Sequence, residues 1–592
     1  MGKCARDVIV SGASNPGVAG VTVATSRTVR ISGVTITGFE PGVDARGGAN
    51  VTFTSVVVEK NKQSGISLAD KGTKVTVTGS AIRDNVADDF TLVDQNGPWS
   101  FKGGWSGCET YVFVPDSVPV SSMDKTSIWA SDLDLLLQKS PPNVHYFFVS
   151  RATDAASVAK SLALMQAQLD SVLPALPEGS NPGQRDWWKA RLHLVQGSGR
   201  DLQNWVGNLL RQTGAAATIG GYGFAIDRFQ RLRGGGNYAD IARYDPGLQA
   251  AGQWPWQNAL QYAAHMPIYF NYESDREDAL LAQKKVTAVK VYDHELLAGS
   301  VEKDVTLPDA VTMSKFDTLQ VDLNMACPKK DKFEEWQISQ DLKPENYNCG
   351  PWDYIVQIDL LDDDGKTWRE LARFISTYHR AGRYLVDASQ ALPMLTKGGK
   401  RHIRYNVSPP WNLQTYDTEM TWRFIDNSKG MRPTQSAFLY AGGGFNADYN
   451  MNHATPVMVD IPKTAKKVEL RAIITGHGGV APDNCSEFCN HQHEFTVGGK
   501  AFLKQFDDTI GDDEGCLKQI DKGVVPNQSG TWWLGRGGWC PGAQVDPWVV
   551  DVTAQAPAGQ AVTVSYRGLF RNQPVKTGRG DIAMSSWLVV YE

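Results

Sequence analysis

The 592-residue chain has no run of about 18 apolar residues, the length a membrane-crossing helix needs, so no transmembrane helix is expected. It has no excess of positive charge either. Against 64 Asp and Glu stand 59 Lys and Arg, a formal net charge of −5, which provides neither a basic stripe for nucleic acid nor a polybasic patch for a membrane surface. The first residues, MGKCARDVIVSG, lack the charged and then apolar stretches of a signal peptide and open in mid-pattern, as if an upstream part were missing. Cysteine is scarce, with eight residues, yet six lie in the C-terminal half as three local couples: Cys327 with Cys349, Cys485 with Cys489, and Cys516 with Cys540. Local couples in even number suggest oxidised cysteines and an exported protein, whether secreted, periplasmic or at the cell surface. Cys4 and Cys108 are left without an assigned partner.

An apolar content of 42% with 21% charged residues is ordinary for folded protein, and the length suits about three to five domains. Glycine (57) and tryptophan (18) are abundant, which implies many tight turns and surface-reaching indoles, a composition common in β-rich carbohydrate-handling proteins.

Taken in order, the chain is expected to be mainly β and multidomain. Residues 1–107 carry a repeat: Val29-x-Ile31 with Ile36, Val51-x-Phe53 with Val58, and Val75-x-Val77 with Ile82, spaced 22 and then 24 residues apart. Each unit ends in a polar turn with Gly38, Asn61 or Asn85, and such a period predicts a short right-handed parallel β-helix in which the asparagines form ladders or turns. Residues 108–270 alternate strand and helix, implying an α/β sheet. Strands are expected at Tyr111–Val114, Val144–Val149, Leu192–Val195 and Phe224–Phe229, and helices around Ser131–Gln138, Val158–Val172 and Leu202–Leu209. The layout is similar to thioredoxin-like domains, but the turn Ser150–Thr153 has no Cys-x-x-Cys, which argues against redox catalysis and for a scaffold. His145 and His193, inside strands, are expected in the core. Residues 271–300 look like a charged helical connector. Two β-sandwiches of jelly-roll type follow, 300–440 and 446–592, divided by the Gly-rich stretch Ala441–Phe445.

The densest chemistry lies in TGHGGVAPDNCSEFCNHQHE, Thr475–Glu494. Cys485-x-x-x-Cys489 suits a small closed loop that orients Glu487 between its cysteines. His491 and His493 lead into Glu494-Phe-Thr-Val497, a strand whose period of two puts both imidazoles on one face.

Two segments resemble the peptide-N-glycosidase F family. One holds Ala-Cys327-Pro, Cys349-Gly-Pro-Trp352-Asp353 and Arg373-Phe-Ile-x-x-Tyr378; the other holds TGHGG, CSEFC and GTWWLGRGGWCPG with Arg536, Trp539 and Cys540. The resemblance covers roughly residues 305–592 and implies two antiparallel jelly rolls with a catalytic cleft between them. It also implies an amidase that releases N-linked glycans from asparagine in glycoproteins or glycopeptides. By matching motifs, Asp353 becomes the principal acid-base residue and Glu487 the second carboxylate. Trp411, Arg536, Trp539 and His477 become substrate-binding residues, no cofactor is needed, and a monomer is expected. The chain departs from the family in three places: no acid precedes Trp411, Gly350 and Pro351 replace acidic residues, and His477 stands for a tryptophan, so glycan recognition should differ.

The same jelly-roll pair is shared with copper type II monooxygenases. By that resemblance His491, His493 and Met584 could hold one copper, since imidazoles with a thioether favour Cu(I), but no His-His pair exists for a second. A glycan-binding protein without catalysis is the third reading.

Overall fold

A computed structural model describes residues 9–11, 19–54, 56–61, 65–68, 73–78, 80–83, 91–100, 109–116, 128–130, 132–198, 223–228, 232–234, 260, 262–328, 349–479, 486–509, 514–528, 530–576 and 580–592. Two compact units divide the chain, residues 1–279 and 280–592.

The first unit opens with three parallel sheets of short strands. Register pairs Val29 with Val51 and Val51 with Val75, and likewise Ile36 with Val58 and Val58 with Ile82, so the sequence repeat is the coil repeat. Like residues therefore stack inward: Ile36, Val51, Phe53 and Val58 form the buried core. Asn61 is buried, accepting from the Phe39 amide at 2.9 Å and donating to the Ile36 carbonyl at 3.3 Å, so its role is to close the turn. Asn85 and the expected helix Leu202–Leu209 lie outside the described residues.

The α/β sheet has three parallel strands, Leu192–Ser198, Val144–Ser150 and Thr110–Pro115, followed by an antiparallel pair, Phe224–Ile226 and Leu232–Gly234. Against it packs the helix Ala155–Val172, which starts where the Asp154 side chain accepts from the Ser157 amide and buries Val158, Leu162, Met165 and Leu169. His145 and His193 are buried as expected, but they also form a chain. Asp94 Oδ2 meets His193 Nδ1 at 2.8 Å, His193 Nε2 meets His145 Nδ1 at 2.9 Å, and His145 Nε2 meets Glu109 Oε2 at 2.9 Å. Arg191 donates to the other Glu109 oxygen at 2.5 Å. This row of bonds ties the hairpin Thr91–Asp94/Gly97–Ser100 to the parallel strands.

The second unit is two β-sandwiches. The first pairs the sheet Val286–Leu297, Tyr416–Ile425, Thr318–Ala326, Gly382–Asp387 with the sheet Ser300–Asp309, Gly398–Asn406, Ile355–Leu361, Trp368–Ile375. It thus begins at Val286, not at residue 300. The charged helix ends at Ala282, and the strand after it is masked in sequence by Asp293 and His294, where its register shifts. The disulfide Cys327–Cys349 closes this sandwich near the site. The second sandwich pairs Pro433–Phe445, Gly580–Tyr591, Lys467–His477, Trp548–Asp551 with Val457–Asp460, Ala561–Phe570, His491–Val497, Lys500–Lys504. The Gly-rich stretch Ala441–Phe445 is therefore the end of a strand and no boundary. A Cβ on Gly442 would lie 1.8 Å from the Ile582 carbonyl oxygen, so glycine is what lets the strand shift register there.

Lys467–His477 is buried almost along its whole length, and Gly580–Tyr591 alternates at first and is then buried without a break from Ser586 to Tyr591. Their inner faces fill the second core. On the outer face Ile473, Trp587, Val589 and Tyr591 pack with Ile375 of the first sandwich.

Acid should loosen the histidine row of the first unit. Burial and the neighbouring His145 hold His193 below its ordinary value despite Asp94, while Asp94 and Glu109, raised by burial, are pulled below theirs by their histidine and arginine partners. All three bind fewer protons folded than unfolded. The His193 contribution is therefore present above about pH 6.5 and lost as pH falls, with the carboxylates following near pH 4. Hydrogen exchange at Leu192–Ser198, corrected for intrinsic rate, should speed up between pH 7 and pH 5, and His193→Gln should shrink that difference; an unchanged profile would refute the assignment.

Candidate active site

Asp353 sits at the head of the strand Ile355–Leu361, on a loop with little freedom. The Trp352 amide donates to Gln414 Oε1 at 2.9 Å, and the Trp352 carbonyl accepts from Ser376 Oγ at 2.7 Å. Ser376 Oγ also accepts from the Tyr354 amide at 2.9 Å. A Cβ on Gly350 would lie 2.3 Å from Gln414 Nε2, so glycine in the Cys-Gly-Pro-Trp-Asp segment permits this close clamp.

Glu487 comes from the second sandwich, just before the strand His491–Val497. Its Oε2 accepts from the Gly478 amide at 3.2 Å, and its carbonyl accepts from the Gly537 amide at 2.6 Å. Between the two carboxylates stands Arg536, 1% exposed. Its Nη2 is 3.4 Å from Asp353 Oδ2 and its Nε 3.5 Å from Glu487 Oε1. The guanidinium is fixed by donation to the Thr531 and Leu534 carbonyls at 3.0 and 2.9 Å, and to the Tyr378 hydroxyl at 3.3 Å. The structure thus brings Asp353, Glu487 and Arg536 to one point at the junction of the sandwiches.

Burial pushes the Asp353 carboxyl up to about 6 against the pull of Arg536 and a Tyr378 hydrogen bond, and the Glu487 charge adds to the rise. Burial likewise raises the Tyr378 phenol, with the Asp353 charge adding to it. A carboxyl titrating near 6, beside a second carboxylate and a fixed cation, can exchange a proton with a reacting group near neutral pH.

The aromatic residues divide. Trp411 is 79% exposed, on the loop whose Gln414 clamps Trp352 and whose Asn412 donates to the Tyr354 hydroxyl at 3.0 Å. Trp539 is 4% exposed, with the His477 ring stacked at 4.9 Å, the Arg536 guanidinium over it at 4.9 Å, and its own Nε1 donating to the Gly476 carbonyl at 2.6 Å. The substrate-binding role expected of Trp539 is corrected: buried, it is a wall that supports Arg536. His477 is likewise committed, with Nε2 2.7 Å from Thr475 Oγ1, which also accepts from Arg373 at 2.7 Å, and burial holds its imidazole down at about 3. Sequence reasoning missed Trp352, 48% exposed beside Asp353, and Tyr378. Both stand inside the quoted motifs, and adjacency to Asp353 was the available signal for the tryptophan.

The metal set His491, His493 and Met584 does not fit a metal centre. His491 Nδ1 and His493 Nε2 face each other at 2.7 Å, sharing a proton, and His493 Nδ1 meets the Tyr566 hydroxyl at 2.7 Å. The remaining nitrogen, His491 Nε2, is wedged between two glycines: Cβ atoms on Gly476 and Gly537 would lie 2.3 and 2.4 Å from it. Every ring nitrogen thus faces protein, and Met584 packs in the sandwich core. The pair, held neutral by burial, props the Gly476 and Gly537 segments that carry His477 and Arg536. Among the described residues one group of three possible ligands exists, Asp293, His294 and Glu419, where Lys290 already pairs with both acids. The disulfide Cys516–Cys540 is formed; Cys485, Cys4 and Cys108 lie outside the described residues, so the Cys485–Cys489 pairing is not described.

Residues 445–589 match the family described as peptide-N-glycosidase F, C terminal, and residues 13–102 match that of the right-handed β-helix region. The chain is 24% identical over 329 residues to peptide-N(4)-(N-acetyl-beta-D-glucosaminyl)asparagine amidase F of Elizabethkingia miricola, covering 50% of this chain and 78% of that one. Solved structures alike in part include that of an asparagine amidase of the same name, with TM-score 0.40, 18% identity, and coverage of 52% of this chain and 96% of that one. Another is PNGase F, a glycosylasparaginase from Flavobacterium meningosepticum, with TM-score 0.39, 18% identity and the same coverage.

Removing the Glu487 charge should lower Asp353 towards the ordinary carboxyl range, because that charge opposes its ionisation. Carbon NMR of labelled aspartate in Glu487→Gln should show a midpoint below about 6; a midpoint unmoved or higher would disprove the coupling.

Proposed function

We propose that the chain is an amidase that hydrolyses the bond between asparagine and the first N-acetylglucosamine of an N-linked glycan, in glycoproteins or glycopeptides. The observation that carries this reading is the meeting of Asp353 and Glu487, one from each sandwich, on the buried Arg536. The likeness of the C-terminal half to a known asparagine amidase supports it.

An amide is a poor electrophile with a poor leaving group, so water needs a base and the departing nitrogen a proton. Asp353, ionised above about pH 6, takes the proton of the attacking water as the C–O bond forms at the amide carbon. The same proton passes to the glycosylamine nitrogen as the C–N bond breaks, which leaves aspartate in the peptide. Glu487, fixed by the Gly478 amide, orients the water. Arg536 and the Tyr378 hydroxyl stand where negative charge collects on the carbonyl oxygen. Trp352 and Trp411 offer open indole faces for the sugar. The two formed disulfides suit an exported protein meeting glycoproteins outside the cell.

Asp353→Asn should slow glycan release from a denatured glycopeptide by about 10²-fold or more with the fold intact. In the unsubstituted chain kcat/KM should rise with pH through an apparent midpoint of about 6, since the base works only when deprotonated. Undiminished turnover by Asp353→Asn would sink the assignment. Trp411→Ala should raise KM more than it lowers kcat.

A further inference from the structure

Beside Trp539 the second sandwich carries a half-open cavity of about 340 Å³, within the range of about 300–1,000 Å³ usual for ligand pockets. Trp539, whose indole carries Arg536 and His477, is also one of its lining residues. Its rim comes from the end of Lys500–Lys504, the segment Phe506–Thr509, the turn containing Gln519 and Lys522, and the segment Ala543–Val549. The disulfide Cys516–Cys540 staples two of these segments, so the cavity is formed in advance of any ligand.

Its chemistry is balanced. Lys504 and Lys522 face Asp508 and Asp546, a lining of no net charge that favours neither an anion nor a cation. The Lys504 ammonium rests 4.8 Å from the Phe506 ring centre and makes no hydrogen bond or ion pair with any described residue. Gln544 donates to the Lys522 carbonyl at 3.3 Å, while its Oε1 is buried with no hydrogen-bond partner. A donor and an acceptor with unused capacity thus line the same space as the partly exposed indole of Trp548. A sugar hydroxyl both donates and accepts, and the C–H face of a pyranose packs on an indole, so this mixture matches a neutral polyhydroxyl compound better than a lipid or a charged group.

We propose that this cavity binds a neutral oligosaccharide, a second sugar-binding place distinct from the Asp353–Glu487 site. It would hold a glycoprotein through one sugar chain or branch while another is presented to the carboxylates, raising the local concentration of substrate.

The test is a calorimetric and saturation-transfer NMR titration of the full chain with a free high-mannose oligosaccharide ending in chitobiose. Binding should persist in Trp411→Ala and weaken about tenfold or more in Trp548→Ala and in Lys504→Met. If Trp548→Ala fails to fold, Lys504→Met and Asp546→Asn carry the comparison. The proposal is overturned if no saturable binding occurs at millimolar sugar, or if binding vanishes in Trp411→Ala and is indifferent to Trp548→Ala and Lys504→Met. It is also overturned if an unglycosylated peptide competes for the cavity. Binding is read without turnover, so its failure leaves the amidase reading untouched, and an inactive amidase leaves a positive titration standing.

Discussion

A guanidinium taken out of water and left unpaired costs several kcal/mol, and Arg536 is 1% exposed. Its two charged neighbours come from different sandwiches, Asp353 from the first and Glu487 from the second. Glu487 shares a sandwich with this cation, whereas its pairing with Asp353 requires the sandwiches to be docked as they are. Neither ion pair is tight, at 3.4 and 3.5 Å: the carbonyls of Thr531 and Leu534 hold Nη1, while Nη2 and Nε face the acids. The carboxylates are thus close enough to feel the cation and still have oxygens to spare for a substrate. Asp353 Oδ2, buried without a hydrogen-bond partner of its own, is the most evident of these.

Docking in turn rests on the outer face of the second sandwich. The strand Lys467–His477 and the second half of Gly580–Tyr591 are covered on both sides, and the buried Arg373–Glu370 pair reaches across to Thr475 and to the Ala583 carbonyl at 2.7 Å each. Through Thr475 this network continues to His477, and through the His491 ring to the backbone of the Arg536 loop. The imidazoles that sequence alone suggested as metal ligands act within this frame. Their buried row, His491 to His493 to Tyr566 to Tyr449, supports the loops from below.

Much of this was legible in the chain. The strand that carries His491 and His493 followed from alternation, and the β-helix repeat followed from the recurrence of β-branched residues at a near-constant interval. What misled was local composition standing in for structure. Three glycines at 442–444 looked like a linker but allow a register shift inside a strand, and Asp293-His294 hid a strand that bends at that point. Trp539 looked like a substrate-binding residue because tryptophan type says nothing about which face is covered.

By itself the sequence determined the residue types of the site and their order: an aspartate locked after Cys-Gly-Pro-Trp, a glutamate between cysteines, an arginine in a Gly-rich turn. These are local matters, set by motif and by period. Tertiary structure alone decided that Arg536 lies between the two acids, that burial lifts Asp353 to about 6, and that the two imidazoles face each other inside the protein. Exposure and charge environment are sums over neighbours brought together from distant parts of the chain, and no stretch of residues contains them.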